Sequence, residues 1–166
     1  MLKKRIIFTL LFCENYFVLS RNFNLQKVGD LQWLEKNYNF KETAKFIDEL
    51  IILNISRKNN YKKEFSNILK KISANVFVPI SAGGGIDSIE MVSELMNSGA
   101  DKVVINTALE KDNKLITKIV KIYGSQSLIG SIDYLKINNL YKIMIANGEI
   151  QINTTLSKYI EKIAKM

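Results

Sequence analysis

The stretch VFVPISAGGGID (residues 76–87) decides the fold class. It opens with an apolar, β-rich run, Val76–Ala82, continues into three glycines and leads to a helical pattern that starts after Ser88. A buried strand joined through a tight turn to a helix is the unit from which parallel α/β folds are built. Similar runs predict further strands on both sides of this stretch, at Arg5–Phe12, Glu49–Ile55, Lys102–Asn106 and Ser127–Ile132.

Four of the predicted strands recur at a regular interval. Their apolar residues Leu50, Phe77, Val103 and Leu128 lie 27, 26 and 25 residues apart. Amphipathic patterns between and after the strands predict helices at Glu64–Ile72, from the N-cap Ser88 to a stop at Gly99, at Lys114–Tyr123 and at Leu156–Lys165. Barrels and doubly wound sheets share a β/α repeat of this length.

Two predicted hairpins interrupt the repeat. Glu14-Asn15 joins the first strand to Tyr16–Leu19. Asn147-Gly148 separates two β-rich runs, Tyr141–Ala146 and Glu149–Asn153, and this dipeptide favours a type I′ turn. We therefore expect one domain over residues 1–166 with five β/α units and hairpins after the first and fifth strands.

Composition excludes several kinds of site. Apolar residues make up 47 % of the chain, mean hydropathy is near zero and the net charge is +8. With only one cysteine, Cys13, the chain cannot form a disulfide framework within itself. With no histidine, it also lacks the ligands of a usual zinc site and the base of a Ser-His or Cys-His nucleophile. We expect no metal and no cofactor.

The positive charge and the N-terminus each allow two interpretations. The lysines lie mostly on predicted helices, which favours a solvated surface over nucleic-acid binding, although phosphorylated substrates or an acidic partner fit the same charge. The first residues, MLKKRIIFTLLFC, imitate a secretory signal, but the apolar run is short and no small-residue cleavage site follows. We expect a buried first strand, no membrane segment and a cytoplasmic protein.

Polar groups gather where predicted strands end, and each has a structural alternative. Gly83-Gly84-Gly85 before a helix favours anion binding, or is only a tight turn. Asn106 and Thr107 on the next strand can donate to phosphate oxygens, or Thr107 simply caps a helix. Asp133, at the end of the fifth strand, suits a general acid or base, or is a surface aspartate. Without any family comparison, the interpretation of Asp133 as a surface aspartate is slightly favoured.

Several motifs, in order and at family-like spacing, resemble the cyclase subunit of imidazole glycerol phosphate synthase, a (β/α)8 TIM barrel. They are MLKKRII (1–7), DELIIL (48–53), GGGI (83–86), GADKV (99–103), INTA (105–108), GSQ (124–126) and Ile132-Asp133. The resemblance implies a lyase of histidine biosynthesis, which takes ammonia from a glutaminase partner and closes an imidazole ring on a phosphorylated nucleotide.

Site roles follow from the resemblance, residue by residue. Phosphate binding corresponds to Gly84, Gly85, Asn106 and Thr107, and the general acid corresponds to Asp133. A charged gate that admits ammonia corresponds to Arg5, Glu49 and Lys102; its fourth member, a glutamate on strand six, would lie beyond Met166.

Three departures limit this implied function. The strand-one aspartate, the family's general base, corresponds to Leu11, the strand-two aspartate to Asn54, and a lysine of the first loop to Leu19. Leu11 favours a sister branch whose members assist an amidotransferase that makes acetamidino sugars for surface glycans. A non-enzymatic remnant is the third alternative.

The chain length predicts an incomplete barrel, because a barrel of this type needs about 250 residues. Without strands six to eight, we expect the first and fifth strands to form open edges. We also expect Ile6, Phe8, Ile52, Val78, Val104 and Ile129 to face inward without an opposite wall. Such surfaces favour self-association or a complementing chain.

Overall fold

The computed structural model describes residues 4–57 and 61–166, and its main element is a seven-stranded sheet. The strand order is β3-β2-β1-β4-β5-β6-β7, in which β1, β4, β5, β6 and β7 run parallel while β2 and β3 add an antiparallel hairpin. The strands are β1 (Ile7–Cys13), β2 (Tyr16–Arg21), β3 (Asn24–Gly29), β4 (Glu49–Asn54), β5 (Ile80–Gly83), β6 (Lys102–Ile105) and β7 (Leu128–Gly130). This confirms an α/β fold with the parallel sheet expected of a TIM-barrel-like family.

A second, antiparallel sheet follows the first. Its order is β10-β9-β8, with strands β8 (Asp133–Ile137), β9 (Leu140–Ile145) and β10 (Ile150–Ile152). The predicted turn is present: Asn147 and Gly148 have φ values of 58° and 84°, and Glu149 N donates to Ala146 O at 3.2 Å. Positive φ at both central residues is the type I′ geometry that Asn-Gly favours.

Helices flank the parallel strands. They are α1 (Leu31–Tyr38), α2 (Phe40–Thr43), α3 (Lys62–Ser73), α4 (Ile89–Asn97), α5 (Thr107–Lys111), α6 (Asn113–Tyr123) and α7 (Leu156–Ala164). Ser88 caps α4 as predicted, since its Oγ accepts from Met91 N at 3.4 Å. Gly99 and Gly124 follow helices with φ of 102° and 84°. None of the helices in the described part of the chain is both long and apolar enough to span a membrane.

One predicted strand has shifted, and several elements had no prediction. The third parallel strand begins at Ile80 rather than Val76, because Pro79 has no N–H for a ladder; its carbonyl accepts from Leu50 N instead. Strand β3, strand β8 and helices α1, α2 and α5 had no prediction. The turns that begin β3 and β9, Asn22-Phe23 and Asn138-Asn139, use positive φ without glycine.

The assignment of inward faces was partly wrong. Ile52 is fully buried in the core, and the Phe8 ring packs against Phe40 with centroids 6.2 Å apart, so both side chains face the helices. Because side chains alternate along a strand, Ile51 and Leu53 take the opposite face. Among the residues expected to face inward, Val104 lines the cavity on that face.

The prediction that the first strand is an open edge was also wrong for three of its seven residues. The hairpin partner β2 pairs with β1 at Leu11, Phe12 and Cys13. The described pairs leave Ile7–Leu10 without a partner on that side, while β4 pairs with β1 along its other side.

Candidate functional site

One cavity of about 300 Å3 lies at the carboxyl ends of the parallel strands. It gathers all five residues predicted for phosphate binding and acid catalysis, from three different strand ends. Its lining includes Gly84, Gly85, Asn106, Thr107 and Asp133. Parallel strands bring their carboxyl ends to one edge of a sheet, which is why residues 49 positions apart meet here.

The two glycines of the cavity differ in what they require. Gly84 has φ of 112°, and an added Cβ would collide with the main chain of Asn54. Gly85 has φ of 61°, and an added Cβ would meet nothing within 4 Å. Gly84 is therefore needed for the close approach of β5 and β4, whereas Gly85 borders open space in which an anion can approach its backbone.

Asn106 and Thr107 follow β6 directly. Thr107 Oγ1 accepts a hydrogen bond from Ala146 N at 3.1 Å, so this hydroxyl already anchors the β9–β10 turn. The hydroxyl proton remains able to donate to a ligand oxygen. Thr107 is thus both a ligand candidate and a structural contact, a combination that neither interpretation of the sequence had included.

Asp133 is the first residue of β8 and sits in a partly buried position. Burial raises the pKa of its carboxyl group above the ordinary value. A second depression of about 250 Å3, lined by residues including Asn22 and Tyr134, also reaches Asp133. A carboxyl group that holds its proton more readily than usual, with access to a cavity, suits a general acid.

Two hairpin tips meet beside the cavity. Phe23, at the tip of β2–β3, has φ of 64° and packs against Gly148, where an added Cβ would lie 2.7 Å from the Phe23 ring. Phe23 and Asn147 both line the cavity. A bulky residue at positive φ is strained, and sequence reasoning gave no signal for it because Asn-Phe is not a usual turn pair.

Arg57 is a cavity residue that sequence reasoning missed. It follows β4, and its Nη1 lies 3.8 Å from Glu149 Oε1 on the β9–β10 turn. The signal that could have found it was a cation just past the end of a predicted strand. Arg57 also affects the nearby Cys13 thiol. Burial and the Glu14 charge raise the pKa of that thiol, and a hydrogen bond with Ser56 and the Arg57 charge offset this only in part.

At the other end of the strands, three charged residues form one cluster. Arg5 Nη1 lies 2.5 Å from Glu49 Oε1, and Lys102 Nζ lies 3.8 Å from the same oxygen. The Glu49 side chain is only 10 % exposed. The three residues assigned to an ammonia gate are therefore in contact with one another, with the carboxylate between the two cations.

The departures from the family pattern also have definite places. Leu11 and Asn54 line the cavity, so an apolar side chain and an amide stand where carboxylates were expected. The Asn54 side-chain oxygen accepts from Ser56 N at 3.0 Å. Leu19 lies on β2 and is 62 % exposed.

Comparison with known families decides the assignment. The model of the histidine biosynthesis protein family matches residues 24–166. The chain belongs to this family. Curated relatives confirm the resemblance to the synthase cyclase: a protein of Parasynechococcus marenigrum provisionally named imidazole glycerol phosphate synthase subunit hisF2 is 49 % identical over 96 % of the chain. Family members named imidazole glycerol phosphate synthase subunit HisF are 33 % identical in Phocaeicola vulgatus, over 98 % of the chain, and 37 % in Campylobacter concisus, over 89 %.

The chain spans 60 % of the Parasynechococcus protein, 64 % of the Phocaeicola protein and 57 % of the Campylobacter protein. The family is thus established over most of this chain, which spans less than two thirds of each of these relatives.

Proposed function

We propose that this chain is a cyclase-type subunit of imidazole glycerol phosphate synthase, which uses glutamine-derived ammonia on a phosphorylated nucleotide in histidine biosynthesis. The main support for this proposal is that a single cavity is lined by Gly84, Gly85, Asn106, Thr107 and Asp133. We place the protein in the cytoplasm.

Phosphate binding forms the first part of the proposal. The Gly85 backbone and the side chains of Asn106 and Thr107 donate to the phosphate oxygens. These donors come from two neighbouring strand ends, so they fix the orientation of the substrate as well as its position. Asp133 then lies in the same cavity as the reacting part of the substrate and donates a proton to it.

Ammonia entry forms the second part. A glutaminase subunit docks at the end of the barrel that carries Arg5, Glu49 and Lys102, and these residues gate the passage of ammonia. Their mutual ion pairs support the assignment, because a gate must be closed by contacts that can be exchanged.

Leu11 favours a second candidate function. An apolar side chain in the cavity cannot transfer a proton at the position of the family's general base. Ammonia delivery does not need that base, so the chain would serve as the accessory subunit of an amidotransferase that makes acetamidino sugars. A non-enzymatic remnant is the alternative if no ligand binds.

A phosphate titration tests the proposed site. Inorganic phosphate or ribose 5-phosphate is added to the labelled chain, and amide resonances are followed by NMR. We expect Gly84, Gly85, Asn106 and Thr107 to shift first. Asn106→Ala should weaken these shifts, whereas Lys118→Gln, which removes an exposed charge from α6, should not. Shifts confined to the lysine-rich helices would contradict the site.

We further propose that residues 1–166 form one domain with the first five β/α units of an eight-unit barrel. The open strand order, which ends at β3 and β7, supports this proposal. Ile7, on an inner-face position of β1, is 45 % exposed. We therefore expect residues 1–166, studied as a separate polypeptide, to self-associate or to depend on a complementing chain. Sedimentation across a concentration range tests it, and a monomer at every concentration would contradict it.

A further inference from the structure

We propose that Arg57 supplies the positive charge that holds the substrate phosphate, and that Glu149 occupies its guanidinium group until the phosphate arrives. This inference rests on the proposed function, because the phosphate concerned is the one assigned to Gly85, Asn106 and Thr107.

The charges in the cavity support this role. Among the described residues that line it, Arg57 is the only cation and Asp133 the only anion. The glycine amides and the side chains of Asn106 and Thr107 offer dipoles but no net charge. A phosphate carries net negative charge that such dipoles do not neutralise, and a guanidinium group binds phosphate with two parallel hydrogen bonds.

Geometry places Arg57 and Thr107 at the two ends of one turn. Thr107 Oγ1 is bonded to Ala146 N at 3.1 Å, and Arg57 Nη1 lies 3.8 Å from Glu149 Oε1. Ala146 and Glu149 are the first and last residues of that turn, whose ends lie within about 7 Å of each other. Both residues also line the same cavity, so one ligand there can contact the hydroxyl and, after a change in the Arg57 rotamer, the guanidinium group.

The pair between Arg57 and Glu149 is easily exchanged. The Arg57 side chain is 64 % exposed and the Glu149 side chain 61 % exposed. At 3.8 Å, their separation is longer than a charge-assisted hydrogen bond. Exposed pairs of this kind contribute little to stability. A phosphate that is already held by the glycine end of the cavity would thus displace the Glu149 carboxylate from Arg57.

This arrangement makes Glu149 a competitor of the substrate. If it occupies the guanidinium group in the empty cavity, its removal should tighten phosphate binding, and only while Arg57 is present. A purely structural role of the pair would instead weaken binding in both single variants, because the β9–β10 turn would lose its contact.

The test measures the dissociation constant of inorganic phosphate for the full chain at fixed ionic strength. Four variants are compared with the unmodified protein: Arg57→Gln, Glu149→Gln, the double variant and the matched control Lys118→Gln. We expect about tenfold weaker binding for Arg57→Gln, the scale of one charged hydrogen bond. We expect about threefold tighter binding for Glu149→Gln, no tightening in the double variant and less than a twofold change in the control.

Thermal melts check that every variant folds, which we expect because both side chains are largely exposed. Equal losses in Arg57→Gln and Lys118→Gln would overturn the inference, since general charge would then explain binding. Tightening by Glu149→Gln in the absence of Arg57 would overturn it as well. If Asn106→Ala weakens binding but Arg57→Gln does not, this inference alone fails; if neither does, the proposed phosphate site fails too.

Discussion

Charged side chains are in different environments at the two ends of the parallel sheet. At the amino ends of the strands, Glu49 is nearly buried between Arg5 and Lys102. At the carboxyl ends, Asp133 lies beside a cavity, where burial is what shifts its pKa, and Arg57 is held only loosely by Glu149. One end therefore has its charges satisfied within the protein, and the other leaves them available to a ligand.

This difference follows from the β/α repeat. Glu49 begins β4 and Lys102 begins β6, on either side of β5, and the long lysine side chain brings its Nζ within 3.8 Å of Glu49 Oε1. Strand ends lead into turns, and glycines keep the backbone free of side chains. The amino end suits a gate that opens by exchanging ion pairs, while the carboxyl end suits the binding of an anion.

The largest expected effect concerns catalysis at the carboxyl end. We expect imidazole ring closure by the chain to be at least about 10²-fold slower than by a family member with an aspartate at the Leu11 position, since a general acid–base step contributes about 10²–10⁴-fold. A steady-state assay with the nucleotide and an ammonium salt measures this. Robust turnover that Asp133→Asn abolishes would show that the cavity does not need a base at Leu11.

The next largest effect concerns the glycines that shape the cavity. Gly84→Ala should destabilise the protein by about 3 kcal/mol, because strain at its φ of 112° adds to a collision with the Asn54 backbone. Gly85→Ala should cost only about 1 kcal/mol, because the added methyl group meets open space. Urea unfolding measures both. Equal losses would mean that both glycines serve only the turn.

Sequence reasoning succeeded where a pattern has a single physical cause. Asn147-Gly148 predicted its hairpin, because few other pairs tolerate two positive φ angles. The parallel strands were predicted because buried strands are continuously apolar. Carboxyl ends of such strands converge, which allowed Asp133 to be placed near Gly85 from the sequence.

It failed where long-range contacts decide the outcome. Phe23 adopts positive φ against Gly148, a residue 125 positions away that no local pattern can indicate. Arg57 became a cavity residue because β4 ends beside β5. The inward face of β4 was misassigned because a run that is apolar on both sides, such as Leu50–Leu53, carries no alternation to distinguish its faces.

The amino end offers a sharper test of paired against loosely held charges. Glu49→Gln should destabilise the protein by about 1–2 kcal/mol, because Arg5 and Lys102 would be left facing each other without the carboxylate. Glu149→Gln at the carboxyl end should change stability by less than about 0.5 kcal/mol, since its pair is exposed. Urea unfolding of the two variants compares them directly. A similar cost at both ends would contradict the contrast between them.

The smallest expected effect is a gain in stability. Burial raises the pKa of Asp133, so the folded state binds the proton more tightly than the unfolded state does. Folding is thus favoured below the ordinary pKa of an aspartate, and this contribution is lost as the pH rises through the raised pKa. Asp133→Asn should therefore stabilise the protein at pH 7 by about 0.5 kcal/mol, the scale of a mild substitution.

Melting temperatures of the unmodified protein and the Asp133→Asn variant, measured from neutral to acidic pH, follow this difference. It should shrink as the pH falls, because the protonated carboxyl group and the amide are both neutral. Lys118→Gln provides the control, because it removes an exposed charge from α6 and leaves the Asp133 carboxyl group in place. A loss of stability at pH 7 in Asp133→Asn would mean that the ionised carboxylate makes a stabilising contact. The carboxyl end would then resemble the amino end, because its carboxylate would also be paired within the protein.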